Sequence, residues 1–370
     1  MSNQPIDISE LAAMLNDRIE SLVDAIGLDG EKRGHDFVAR NPTRSDRNLG
    51  SFRICIAGSK MGVWKDFAMG DGGDALDLAG YCMFAGDKAK AVAWSKSWLG
   101  LDDMDPARLA RAKQVAADTK KKRDIEAERE DAARRAGAWR IWSAAERSVL
   151  GTYAESYLSG RGIDLRALPH AVGSLRYVPE LHNVEADRKL PAMIAAIIGR
   201  DNKFLGIHRT WLKPTRHGAT KADLADAKLT LGKYRDAGGS IRLWAGAGPR
   251  GGKGRALGDL DQAWADGRLT KNESRVSITE GIEDGLTGAL AAPELRVLVA
   301  VSVAQIASMW LPDAIREAIL IADNDEPNSA AAKQLEKGIQ RFWNDGRQVR
   351  LIRAPEGKDI NAYLTRSKIL

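Results

Sequence analysis

Residues 275–292 read RVSITEGIEDGLTGALAA, and residues 318–325 read AILIADND. Each stretch opens with a short apolar run and then breaks into acids. Glu280 follows the first run, and Asp323 and Asp325 follow the second. Such runs, bounded by polar residues, suit strands buried on both faces. Working outward from them, the pattern predicts strands at 276–279, 296–301, 318–322 and 348–352. Helices are predicted at 281–291, 304–310 and 329–344. Strands alternating with helices predict an α/β fold with a parallel sheet covered on both faces. In such sheets the functional crevice lies at the carboxyl ends of the strands. Asp359 comes just past the last strand, so four acids fall at one rim.

Acids gathered at one rim repel each other, and a hard cation between them offsets that cost. Oxygen donors that leave room for water and phosphate suit Mg²⁺, with Mn²⁺ as a substitute. Such an ion stabilises the attacking and leaving oxygens of phosphoryl transfer. Taken singly, Asp323 or Asp325 reads more readily as a cap for the helix that starts near Ser329, and it is their combination with Glu280 and Asp359 that points to a cation.

The 370 residues suffice for two or three domains. We expect boundaries at 1–104, 105–150, 151–255 and 256–370. Residues 106–149 are rich in Ala, Arg, Lys and Glu, which predicts a long, mostly exposed connecting helix. Trp139, Ile141 and Trp142 would dock its last turns. Residues 191–198 and 205–212 predict a hairpin turning at 199–204, and 244–254 a glycine-rich loop. Net charge is +6. Residues 200–255 concentrate it, with 13 Lys and Arg against 4 Asp and Glu, an excess that attracts a phosphate backbone. No apolar run reaches the ~20 residues of a membrane span. The first ten residues lack a signal pattern, so a cytoplasmic location without membrane association is expected. Two cysteines, Cys55 and Cys82, exclude a disulfide framework or a Cys-rich zinc site.

Glu280-Gly281-Ile282-Glu283-Asp284 after one strand and Asp323-Asn324-Asp325 after a later one resemble the Toprim domain of DnaG-type primases, topoisomerases and some nucleases. The resemblance implies Glu280 as general acid or base and Asp323 and Asp325 as Mg²⁺ ligands. Asp284 matches an additional acid of primases, and Lys358-Asp359 their third acidic motif. Residues 157–162 (YLSGRG, with Arg161), 173–177, 205–210 (with Arg209), 227–232 (with Lys228) and 238–243 (with Arg242) resemble, in order, the primase core. Arg161, Arg209, Lys228 and Arg242 would then contact template or nucleotide phosphates. The N-terminal block resembles a primase zinc ribbon whose four ligand positions hold Asn41, Arg44, Asp66 and Met69. Zinc is therefore not expected, and Phe52, Trp64 and Phe67 would hold the fold by packing. Trp64 or Phe67 stacking on single-stranded bases is the weaker alternative. Residues 247–254 (AGPRGGKG) mimic a phosphate-binding P-loop but lack its first glycine and its final Ser or Thr.

The resemblance as a whole implies a phage-, plasmid- or mobile-element-type primase. It would make primers on single-stranded DNA from nucleoside triphosphates with Mg²⁺, beside a separate replicative helicase. The alternatives are a Toprim nuclease, with water as nucleophile, and a non-catalytic replication adaptor. A topoisomerase would need a separate tyrosine domain, for which the chain has little room.

Overall fold

The computed structural model describes residues 6–44, 46, 49–102, 104–248 and 250–367. The chain divides into two compact units, residues 1–130 and 131–370.

In the first unit, α1 (Ile8–Asn16) and α2 (Ile19–Ile26) precede a sheet of five short strands. These are β1 (Gly30–Arg33), β2 (Asp36–Ala39), β3 (Phe52–Cys55), β4 (Trp64–Asp66) and β5 (Gly72–Gly73), antiparallel and in sequential order. Then come α3 (Ala75–Phe84) and α4 (Lys88–Trp98). Asp74 starts α3 by accepting hydrogen bonds from the amides of Leu76 and Asp77. Leu11, Leu15, Leu22, Phe52, Ile54, Trp64, Leu76 and Leu78 fill the core.

Three of the four positions equated above with zinc ligands meet in a polar cluster. Asn41 Nδ2 and an Arg44 terminal nitrogen each donate to Asp66 Oδ2 at 2.8 Å, and Arg44 Nε donates to Asp46 at 2.6 Å. Asp66 is fully buried. Met69 stands apart, 41% exposed. Trp64 packs against Phe52 and Tyr81, with ring centroids at 5.2 and 4.8 Å. Phe67 does not pack in this core as expected. Strand β4 ends at Asp66, and Phe67 is 60% exposed beside Arg53 and Lys65.

Helix α5 (Pro106–Ala144) is long and mostly exposed, as its composition predicts, with a few buried positions along it. Ala116 is buried in the first core, and Arg123 pairs with Asp17 at 3.0 Å. In the second unit, Ala138 and Trp142 join a core with Ile194, Ile207 and Trp211.

The second unit continues with α6 (Tyr153–Ser159) and the strands β6 (Leu175–Asn183), β7 (Arg188–Ile198), β8 (Phe204–Thr215), β9 (Gly218–Lys221) and β10 (Lys228–Gly232). They form an antiparallel sheet ordered β10-β8-β7-β6, with β9 on β8. The predicted hairpin is β7–β8, extended at both outer ends. Then follow β11 (Ile241–Trp244), α7 (Leu260–Ala265), β12 (Arg275–Thr279), α8 (Ile282–Ala291), β13 (Arg296–Val299), α9 (Val303–Ile306), β14 (Glu317–Ala322), α10 (Ala330–Asn344), β15 (Gln348–Arg353) and α11 (Ile360–Ser367). The sheet order is β11-β13-β12-β14-β15, parallel except for β11. Strand β13 is two residues shorter than predicted because Val301 turns to φ 73. A β-branched residue is strained in that left-handed region.

A core of Met193, Ile197, Leu205, Ile241, Leu243, Leu286, Val297 and Val299 joins the antiparallel sheet to α8 and the parallel sheet. Among the described residues, no helix is long and apolar enough to cross a membrane.

Candidate active site

Strands β12 and β14 are adjacent and parallel, pairing Thr279 with Ile321. Glu280 and Asp323 therefore leave the sheet one and two residues beyond a matched pair, at the same end. The electrostatics record the result. Burial raises the Glu280 carboxyl to about 7, and the negative charges of Asp323 and then Asp325 add to the rise. Burial likewise raises Asp284 to about 6, with Asp359 and Asp323 contributing. Asp323 is raised by burial, then by Asp359. Lys358 and Lys228 oppose these shifts at Glu280 and Asp323.

The loops are tied in place by residues outside the acidic set. Asn324 lies between the two aspartates. Its Nδ2 donates to the carbonyls of Ala354 and Gly357, at 2.9 and 2.8 Å, and its amide donates to Lys358 O. It fastens the β14 loop to the one after β15. Asp359 accepts from the Ala362 amide at 2.6 Å and so also caps α11. Asp284 accepts from the Asn361 amide at 3.0 Å. Asn361 is buried and accepts from Arg161 Nε at 3.0 Å. Arg161 thus stands one residue removed from Asp284.

Glu283, which the sequence reading passed over, is 4% exposed. The Tyr157 hydroxyl donates to its Oε1 at 2.5 Å, and Lys228 Nζ donates to Oε1 and Oε2 at 2.9 and 3.0 Å. Burial would raise this carboxyl, but Lys228 and Tyr157 outweigh it and hold it at about 2. The only sequence signal for this role was an acid at a helix position facing a core.

Lys228 pairs with Thr210 on β8. Side chains alternate across a strand, so His208 and Thr210 share one face while Arg209 and Trp211 share the other. Arg209 lies over the Trp211 ring at 4.9 Å and donates to Thr230 O. The structure does not bring it to the acids. Arg242 is also elsewhere. It donates to Gly199 O at 2.7 Å and to Asn202, near Trp310.

The donors at this rim are carboxylate oxygens, the set that suits a hard cation and not zinc. Among the described residues, no three His, Cys, Asp or Glu side chains surround one point as metal ligands. The five acids therefore form a shared rim, not an all-protein cage. Such a rim fits an ion held by one or two carboxylates plus water and substrate phosphates, the usual manner of Mg²⁺.

Residues 275–368 match the Toprim domain family, and residues 132–243 match a domain of unknown function (DUF7146). No curated protein matches the sequence. Among solved structures, the Aquifex aeolicus primase (zinc-binding and RNA polymerase domains) is 15% identical. That match covers 96% of this chain and 82% of its own, with a TM-score of 0.39. A DNA primase domain from Pseudomonas aeruginosa is 14% identical, covering 64% and 74%, with a TM-score of 0.38. A DnaG primase catalytic domain bound to single-stranded DNA is 14% identical, covering 64% and 79%, with a TM-score of 0.36.

Proposed function

We propose that this Toprim-domain protein is a primase-type nucleotidyltransferase that joins nucleoside triphosphates into a short primer on single-stranded DNA. The observation that carries the reading is the convergence of Glu280, Asp323 and Asp325 at one strand-end rim, close enough that the two aspartates raise Glu280, with Lys228 near enough to oppose the rise. Asp323 and Asp325 would hold Mg²⁺, with Asp359 and Asp284 next to them. The ion, when bound, supplies charge stabilisation at the transferring phosphorus. Glu280, whose carboxyl burial and the two aspartates raise in the metal-free rim, would accept the proton of the attacking 3′-hydroxyl. Lys228 is held by Glu283, yet its side chain is 38% exposed. It can meet a nucleotide phosphate on its open side. Arg161, braced by Asn361, adds a second cation near Asp284. Replication of a phage, plasmid or other mobile element is the proposed setting.

The test is primer synthesis on random single-stranded DNA with Mg²⁺. Asp323→Asn is expected to lower the rate at least a thousandfold while circular dichroism and melting stay near wild type. An unchanged rate would remove the reading. Degradation of the template without added nucleotides would instead identify a nuclease.

A further inference from the structure

Residues 245–248 and Gly254, from the glycine-rich stretch that fails as a P-loop, line a cavity of about 410 Å³ at the other end of the parallel sheet. Arg296 lines it and begins β13, in register with Val276 of β12. Glu280, just past the end of β12, is four residues beyond Val276, so the cavity lies roughly 13 Å from the acidic rim along the strand direction. Arg296 is 4% exposed. One terminal nitrogen donates to the Arg255 carbonyl, and its Nε has no partner. A guanidinium carries five donors, and a buried cation so sparsely matched is costly.

The neighbouring charges do not settle it. Burial, and then Arg242, press the Arg296 guanidinium down to about 10. Glu273 attracts it, but that carboxylate is already engaged. It accepts from Arg255 Nε at 3.0 Å, from the Thr270 amide at 2.9 Å and from the Thr270 hydroxyl at 3.0 Å. Glu294, also on the lining, is exposed to solvent. Arg250 and Lys253 on the loop add positive charge outside. The loop is tightly drawn: a Cβ on Gly254 would stand 2.5 Å from Ala245 O.

We propose that this cavity is a second binding site, for the phosphate group of a small phosphorylated ligand, with Arg296 as its anchor and Asn272 at its mouth. A dianion would supply acceptors for a planar, buried fork, and the volume suits a ligand of mononucleotide size.

The full chain in EDTA, which silences divalent-dependent binding at the acidic rim, is titrated by calorimetry and thermal melting. The probes are inorganic phosphate, pyrophosphate, a nucleoside monophosphate and the parent nucleoside, against sodium chloride of equal ionic strength. Saturable binding with a rise in Tm is expected for phosphate-bearing probes and not for the nucleoside or chloride. The monophosphate against inorganic phosphate separates a nucleotide ligand from the free ion. Arg296→Met is expected to abolish the rise. Asn272→Asp, an exposed change that leaves packing alone, should weaken binding at least threefold with primer synthesis unchanged. No saturable rise with any probe overturns the proposal, as does a rise undiminished in both variants.

Discussion

At the residue scale, the buried ion pair of Glu283 with Lys228 shows how a side chain outside the acidic motif shapes the site. Glu283→Ala would leave a half-buried ammonium and the Tyr157 hydroxyl without their shared acceptor. Removing one partner of a buried pair costs ~3–5 kcal/mol, reduced here because Lys228 reaches solvent. A loss of about 2–3 kcal/mol in urea unfolding is expected, with Glu283→Gln intermediate. His208 offers a pH test on the same face. Burial, then Lys228, lowers it to about 4 in the fold, against ~6.5 in the unfolded chain. The unfolded state therefore takes up a proton that the folded state refuses. The stability contribution is full above pH 6.5 and is lost as pH falls toward 4. Between pH 7 and pH 5 this amounts to about 2 kcal/mol. The loss should appear as the difference between wild type and His208→Leu in urea titrations, because other groups titrate in both proteins. Glu280, Asp323 and Asp325 stood out in the sequence because acids directly follow apolar runs. Glu283 and His208 did not, because their roles depend on partners 55 or more residues away for Glu283, and on burial for His208.

At the element scale, α8 is the part whose seating matters most. It carries Glu283 and Asp284 in its first turn. It lies close to the sheet at Gly285, where a Cβ would stand 2.7 Å from Leu243 Cδ2 and 3.0 Å from Thr279 Oγ1. Gly285→Val would force the helix outward. Overpacking of this kind costs ~1–3 kcal/mol. A lower Tm with weaker Mn²⁺ binding by calorimetry is expected, although no acid is altered. The strands and helices of this unit were legible because their apolar periods are clean. Three features were not. Residues 238–243 read as part of the 151–255 domain, yet β11 pairs antiparallel with β13 and completes the sheet of the next one. β13 ends early at Val301. α5 is mostly exposed, as its composition predicts, but composition did not mark Ala116 and Ala138 as the small residues where it packs. Pairing and close approach are non-local, and a single-chain period does not report them.

At the scale of the whole molecule, proton and cation compete for one rim. Glu280 and Asp284 have folded-state carboxyls raised to about 7 and about 6. A raised carboxyl favours the fold while protonated, and that contribution is lost as pH rises through the folded value. The metal-free protein should therefore lose stability through these groups as pH rises from about 4, their unfolded range, to about 7. A divalent cation that binds only the folded state adds RT ln(1 + [L]/Kd). The Tm gain from millimolar Mg²⁺ or Mn²⁺ is expected to be larger at pH 8 than at pH 6, and to vanish in Asp323→Asn. A gain independent of pH would detach these acids from the ion. By itself the sequence determined the α/β class, the parallel sheet and the strand-end position of Glu280, Asp323 and Asp325, since those follow from local apolar periods and the residues that interrupt them. Only the tertiary structure decided which cations face the acids. It drew Lys228 and Arg161 toward them and left Arg209 and Arg242 on other faces. It also tied Asn324 to the neighbouring loop and buried Arg296 behind the glycine-rich one. The physical reason is that a side chain's direction is set by strand register and sheet face. Those come from hydrogen bonds and packing between segments far apart in the chain.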